Sequence, residues 1–387
     1  MNYKNGIYNL KHRRELLKKL ENLDELLNKE SGYCVVKEES YYNQDFSKFD
    51  IPSKVLENYP LHFRNGQIRV PEITISKYKN VQIVKHQFLI VEEGIISMDS
   101  FEELVQSKDQ IWYSDYRSCK ILNKKYCIPR LYSQKFYIKP NKVNVEVTTP
   151  EYLHGDYIFI PAWFSTNICH WLCDVLPRIG FALNYLPQSF KFILPEGTPK
   201  TALETLELIG VNKERIIWFN NKKSFKVDNC YVVSRIASQY NFFSDYFFEF
   251  YAEIAKKVLP NADKNLIQSK YIYVSRRDSN NRKCINEAEL ENVLIQKGFD
   301  VIILSELSFQ ERIRIFKEAK IIIGASGAGL VHSVFLSEKS EFIVIGTEMM
   351  NQNSNMFARI AKRKNLNFTI FDFPSLDSED LYASWEV

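Results

Sequence analysis

The stretch that most constrains this chain is Ile321 to Leu336, I-I-I-G-A-S-G-A-G-L-V-H-S-V-F-L. A β-branched run leads into Gly324, Gly327 and Gly329 and then an apolar continuation that can be helical, which is how a buried parallel strand hands its carboxyl end to a helix N-terminus. Glycine lets the backbone turn tightly and approach a ligand, and the amides, with the helix dipole behind them, favour negative charge. In any α/β domain the same loop can be a plain strand-to-helix turn. What decides between the two is what else the chain brings to it.

From Tyr157 the sequence alternates short apolar strands with helices, in two consecutive sets. The first runs from a strand at Tyr157–Pro161, through a helix around His170–Leu186, to a strand at Cys230–Val233. After a connecting helix at Phe247–Leu259, the second runs from Tyr271–Val274 to Asn367–Phe371. Two such sets predict two doubly wound parallel sheets facing one another, with a ligand at the carboxyl ends of the strands. Ahead of them, Gly32 to Val147 reads as short strands, including Gln67–Ile75, Val81–Val91 and Lys135–Tyr137. Leu10 to Leu27 has leucines at helical spacing, with Lys and Arg in its first half, and reads as one amphipathic helix. It is expected to pack on its own domain or on a second copy of the chain; its basic face also suits an anionic membrane or a lipid-linked acceptor. The expected division is 1–150 for helix and β-rich segment, 151–260 for a first Rossmann-like domain and 261–387 for a second.

Composition narrows the function classes. At 387 residues the chain exceeds what one core organises, and a net charge of +4 is too small to argue for nucleic acid. Seven cysteines, odd in number and without C-x-x-C spacing, imply reduced thiols and a cytoplasmic protein, peripheral to the inner membrane face if the basic helix docks there. An apolar leader and a membrane span are both unexpected. His62 and His86 have no partners at ligand spacing and read as structural.

Two further segments carry candidate chemistry. Asn167 to Arg178, N-I-C-H-W-L-C-D-V-L-P-R, puts His170 and Asp174 on one helix face, where either could take a proton from an attacking hydroxyl. Ser275 to Asn286, S-R-R-D-S-N-N-R-K-C-I-N, concentrates Arg276, Arg277, Arg282 and Lys283 just after a strand, where they suit a diphosphate. No Asp-x-Asp is present to hold a divalent cation, so an anion site without a metal is expected. Absence of a G-x-x-x-x-G-K-[ST] loop, and a G-x-x-G-x-G glycine order, argue against kinases and dehydrogenases.

Taken together, N-x-x-H-W-L-x-D-x-L-P-R at 167–178, S-R-R-D-x-x-x-R-x-x-x-N-E-x-E-L at 275–290 and G-A-x-G-A-G-L-x-x-x-x-F-L at 324–336 resemble the signature blocks of glycosyltransferase family 61. The resemblance implies a GT-B architecture and an inverting, metal-independent sugar transfer, with no cofactor, from a nucleotide-sugar donor to a glycan or lipid-linked acceptor in cell-surface polysaccharide synthesis. It implies donor contacts from Arg276, Arg277, Arg282, Ser326, Gly327, Ala328 and Gly329, and makes Asp174 the first choice for general base, with His170 the alternative or its orienting partner. Asn167, Trp171 and Arg178 fall to the acceptor side. The family's loop usually carries His where this chain has Ser326 and Asn where it has His332, so His332 is the candidate to stand in for that histidine. The alternative reading is a catalytically silent relative that binds glycan or scaffolds a synthesis complex.

Overall fold

The computed structural model describes residues 4–11, 13–29, 31–59, 64–84, 88–92, 95–97, 120–121, 142–162, 166–220, 222–238, 242–261, 270–279, 282–351, 354–375 and 384–387. His62, His86, Cys119, Cys127, the strand expected at 135–137 and the acidic run at 377–380 lie outside them. The chain divides into two compact units, Met1–Ser40 with Val70–Ser244 and Tyr41–Arg69 with Asp245–Val387.

In the first unit four parallel strands lie in the order Ile216–Phe219, Lys191–Pro195, Glu151–Phe159, Ser224–Val233. Along the chain this is 3-2-1-4, so the winding reverses between Glu151–Phe159 and Ser224–Val233, the point where an open α/β sheet receives its ligand. The inner strands are apolar on both faces, with Ile158, Phe159, Val232 and Val233 all buried, as parallel strands covered by helices must be. The long strand Ile73–Val84 pairs antiparallel with Ser224–Val233 and carries the sheet on through Phe88–Glu92, Ile95–Ser97, Lys4–Lys11 and Lys142–Val147. The boundary expected at 150 therefore runs through the middle of one sheet, twelve strands among the described residues.

The amphipathic helix expected from Leu10 to Leu27 does not form. Lys4–Lys11 is a strand, Arg13–Leu16 a single helical turn, Lys19–Leu20 a short strand and Leu23–Asn28 a separate helix. The leucine spacing is helical, but tertiary contacts override it. Leu20 is buried in the space left by Gly32, where a Cβ would lie 2.5 Å from its Cδ1. Asn22 restarts the helix by accepting the Glu25 N–H at 2.9 Å, and Lys77 Nζ ends it by donating to the carbonyls of Leu27 and Lys29 at 2.9 and 2.7 Å. The expected basic face is also taken apart: Arg13 is buried 3.6 Å from Glu72, and Arg14 bonds the same carboxylate at 2.8 Å. No helix among the described residues is long and apolar enough to cross a membrane.

In the second unit five parallel strands lie in the order Asp300–Ile303, Tyr271–Ser275, Ile321–Ala325, Glu341–Thr347, Asn367–Phe373. This is 2-1-3-4-5, and the reversal falls between Tyr271–Ser275 and Ile321–Ala325, the strands that deliver the arginine loop and the glycine loop. Helix Phe309–Glu318 opens with a capping box between Ser308 and Glu311. Helix Asp245–Val258 buries Phe247 and Tyr251, the latter edge-on to Phe335 at 5.3 Å, so it belongs to this unit and moves the expected boundary at 260 back to 244. Segment 41–69 belongs here too. Asp50 pairs with the outer strand through its N–H to Phe368 O at 3.1 Å and its carbonyl from Ile370 N at 2.8 Å, and so covers an edge that would otherwise be open.

Candidate active site

In the first unit, chemistry gathers where the winding reverses. Asn167 caps the helix that follows Glu151–Phe159, its Oδ1 accepting the Cys169 N–H at 2.8 Å. Pro177 has no N–H to give the turn before it, and its ring crowds the carbonyl four residues back. The chain meets this with one wide turn, Trp171–Val175, in which the Leu176 N–H reaches Trp171 O. Such single-turn widenings recur at functional sites. Here the turn brings Asp174 Oδ2 to 2.9 Å from His170 Nδ1, with Asp174 only 2% exposed and His170 7%. A carboxylate can only accept, so Nδ1 donates, and in the neutral ring the lone pair sits on Nε2.

The third member is Arg235, at the carboxyl end of Ser224–Val233. Its Nη1 lies 3.1 Å from Asp174 Oδ1, and the residue is 4% exposed. The turn that presents it is pinned by Ser234, whose Oγ accepts the Thr74 N–H and whose own N–H donates to Thr74 O, both at 2.9 Å. Asp174 is thus a buried carboxylate held between an imidazole and a guanidinium. Its carboxylate fixes the orientation of the ring.

In the second unit the arginine loop is fixed by a buried carboxylate. Glu287, in the first turn of helix Glu287–Gln296, accepts from Tyr273 OH at 2.9 Å, Ser275 Oγ at 3.2 Å and Arg276 N at 2.8 Å. With this backbone held, the Arg276 side chain lies along the glycine loop. A Cβ on Gly327 would collide with Arg276 Nη1, while Nη2 donates to Ser279 Oγ at 2.8 Å. Arg282 reaches the same loop through a long hydrogen bond, Nη1 to Ser326 O at 3.4 Å. Burial lowers the Arg276 pKa, and the next largest influence, also lowering it, is Arg282. The strongest charge acting on one guanidinium is therefore another cation. An anion placed here relieves that repulsion.

Other expected residues take different parts. Trp171 is fully buried and its Nε1 donates to Thr205 Oγ1 at 2.9 Å, which makes it core and not an acceptor platform. Arg178 is a buried brace, donating from Nε to Asp174 O at 2.6 Å and from Nη2 to Pro161 O. Arg277 turns from the glycine loop to Glu291, 3.2 Å away, and is more than half exposed. Ser326 points inward, its Oγ bonded to Ser354 Oγ at 2.8 Å and to Met350 O at 3.2 Å. His332 cannot stand in for the family histidine. It is fully buried on a 3₁₀ helix, Ala328–Phe335, donates from Nδ1 to Gly329 O at 2.7 Å, and burial among Phe309, Phe316 and Phe335 lowers its pKa to about 3.

The glycines, too, serve close packing and not a left-handed turn. A Cβ on Gly324 would lie 2.7 Å from Leu330 Cδ2, and one on Gly329 would lie 2.6 Å from Leu304 Cδ1. Sequence reasoning missed Arg235, whose only signal is its place at the carboxyl end of an apolar strand. It also gave no role to Glu287, which stands inside the N-E-x-E-L block.

Residues 168–343 match the family model described as Glycosyltransferase 61. The matched span holds His170, Asp174, Arg235, Arg276, Arg282, Glu287 and the glycine loop, and it supports a glycosyltransferase of that family. No curated protein matches the chain.

Proposed function

We propose that this protein is an inverting, metal-independent glycosyltransferase of GT-B type, which moves a sugar from a nucleoside-diphosphate donor to a hydroxyl of a glycan or lipid-linked glycan in cell-surface polysaccharide synthesis. The observation that carries the reading is the Arg276 guanidinium seated on Gly327 beside Arg282, at the winding reversal of a parallel sheet. His170, oriented by Asp174, is the general base: its Nε2 takes the acceptor proton as the acceptor oxygen bonds to the anomeric carbon. The bond from that carbon to the phosphate oxygen breaks with its electron pair going to the diphosphate, whose charge Arg276 and Arg282 meet. Two placed cations supply the stabilisation that a divalent ion gives in other transferases. The glycan acceptor and the pathway rest on the family resemblance.

Thermal unfolding of the full chain against UDP, GDP, CMP and their sugar conjugates tests the donor half, because a ligand that binds only the folded state raises its apparent stability. The expected result is stabilisation by at least one nucleoside diphosphate, lost in Arg276→Ala. Absence of any shift across the panel would reject the reading and favour a glycan-binding scaffold.

A further inference from the structure

The segment Trp385–Val387 is built into the arginine loop. Trp385 is fully buried with Tyr273, Cys284, Ala325, Ile345 and Met350. Its Nε1–H donates to Arg282 O at 3.1 Å, its backbone N–H donates to Lys283 O at 2.9 Å, and its carbonyl accepts from Ile285 N at 2.8 Å. Asn286 completes the attachment, donating from Nδ2 to Val387 O at 2.9 Å and accepting the Val387 N–H on Oδ1 at 3.0 Å. Asn286 stands at the N-cap of helix Glu287–Gln296, yet its side chain makes no capping bond. The amide that would ordinarily cap the helix holds the strap instead.

What the strap holds is an unusual backbone. Arg282 has φ +58°, the left-handed region that a side chain of this size enters only when its surroundings fix it. The Arg282 carbonyl, which defines that turn, is the acceptor of the Trp385 indole. We propose that Trp385–Val387 is a positioning strap for the donor site: it holds Arg282 in the left-handed turn and thereby keeps the second guanidinium at the glycine loop, ready for the diphosphate of the donor. The inference rests on the reading of Arg276 and Arg282 as a diphosphate site. Released from the strap, Arg282 relaxes to a right-handed turn and aims its side chain elsewhere, so the anion must order the loop itself and binds less tightly. Because strap and anion favour the same turn, each tightens the other.

The test uses the full chain, with UDP, GDP and inorganic pyrophosphate titrated calorimetrically beside uridine and guanosine as uncharged controls. Trp385→Phe keeps the buried ring and removes the indole N–H, and Asn286→Ala frees Val387 while leaving Trp385 intact. Both should weaken the diphosphates about five- to twentyfold and leave any nucleoside affinity unchanged. The fluorescence change of the wild type at saturating pyrophosphate should be absent from Trp385→Phe. Should Trp385→Phe fail to fold, Asn286→Ala decides alone. Variants that lose stability but bind diphosphates as the wild type does would show a merely structural strap and overturn this inference without touching the donor site. A wild type that binds none of the diphosphates overturns the donor reading and the strap with it.

Discussion

Gly327→Ala separates the packing role of the glycine loop from its binding role. Gly327 is extended, with φ −177° and ψ 168°, a conformation any residue adopts, so alanine brings no backbone strain. By restricting the unfolded chain it should stabilise by about 0.4–1 kcal/mol. Against this, its Cβ claims the place of Arg276 Nη1, and moving that side chain gives up the 2.8 Å bond to Ser279, worth roughly 1 kcal/mol at this half-buried site. The two effects nearly cancel, and the urea midpoint should move by no more than about 1 kcal/mol allows. Binding has no such compensation. A displaced guanidinium loses a charge-assisted phosphate contact of about 1.5–3 kcal/mol, so the nucleoside-diphosphate Kd should rise roughly 10- to 150-fold by calorimetric titration. Arg276→Ala should add little to Gly327→Ala, since both remove one interaction. An unchanged Kd, or two effects that simply add, would refute the argument.

His170→Gln should lower sugar transfer by about 10²–10⁴-fold and leave nucleoside-diphosphate affinity at the wild-type value, which paired rate and titration measurements check. Asp174→Ala leaves the Arg235 charge buried without its carboxylate and should cost about 3–5 kcal/mol in urea unfolding. Part of that should return when Arg235→Met is added. Trp171→Phe should lose about 1 kcal/mol with the Thr205 bond and keep the rate of transfer; a fall in rate would return Trp171 to the acceptor site. Burial holds the His332 pKa at about 3, so as pH falls below the ordinary 6.5 the unfolded chain binds a proton that the folded chain refuses. Stability should therefore be unaffected by this group above pH 6.5 and fall by about 1.4 kcal/mol per unit on the way down towards pH 3, a slope absent from His332→Gln in urea unfolding.

Much of the parallel α/β frame was legible because buried parallel strands are apolar on both faces and bounded by turn residues, which local sequence records directly. Tyr271–Ser275, Ile321–Ala325 and Glu341–Thr347 all fall on such runs. The amphipathic helix failed for the opposite reason: its leucine period is genuine, but burial of Leu20 under Gly32 and capture of Arg13 by Glu72 are decided by strands distant in sequence. Within the site, His170 and Asp174 could be paired from their spacing alone, since four residues along a helix brings side chains together. Arg235, sixty-one positions beyond Asp174, could not, because only the 3-2-1-4 strand order makes them neighbours. Arg276 and Arg277 look equivalent in sequence. They diverge because adjacent side chains leave a loop in opposite directions, one to Gly327 and the other to Glu291.

The two winding reversals use arginine in opposite ways. In the first unit Arg235 meets a carboxylate at 3.1 Å, and Asp174 is further held by His170. There a carboxylate meets the guanidinium and orients the imidazole, the ring to which the proposed function gives the acceptor hydroxyl. In the second unit the carboxylate of Glu287 accepts from two hydroxyls and a backbone amide. Arg276 and Arg282 instead both lie on the glycine loop, and the charge that acts most strongly on Arg276 is that of Arg282, ahead of the opposing Asp278 and Glu287. Two cations held close repel one another, and the bonds with Glu287 and Trp385 fix the backbones that carry them. On the proposed function a doubly charged leaving group relieves that repulsion, most as the bond to the sugar breaks and charge on the diphosphate grows. The proposed function accordingly gives the acceptor to the first site and the donor to the second. Reversing charge at position 276 with Arg276→Glu should abolish diphosphate binding and leave the His170–Asp174 pair undisturbed, as the histidine side-chain resonances of the two proteins would show.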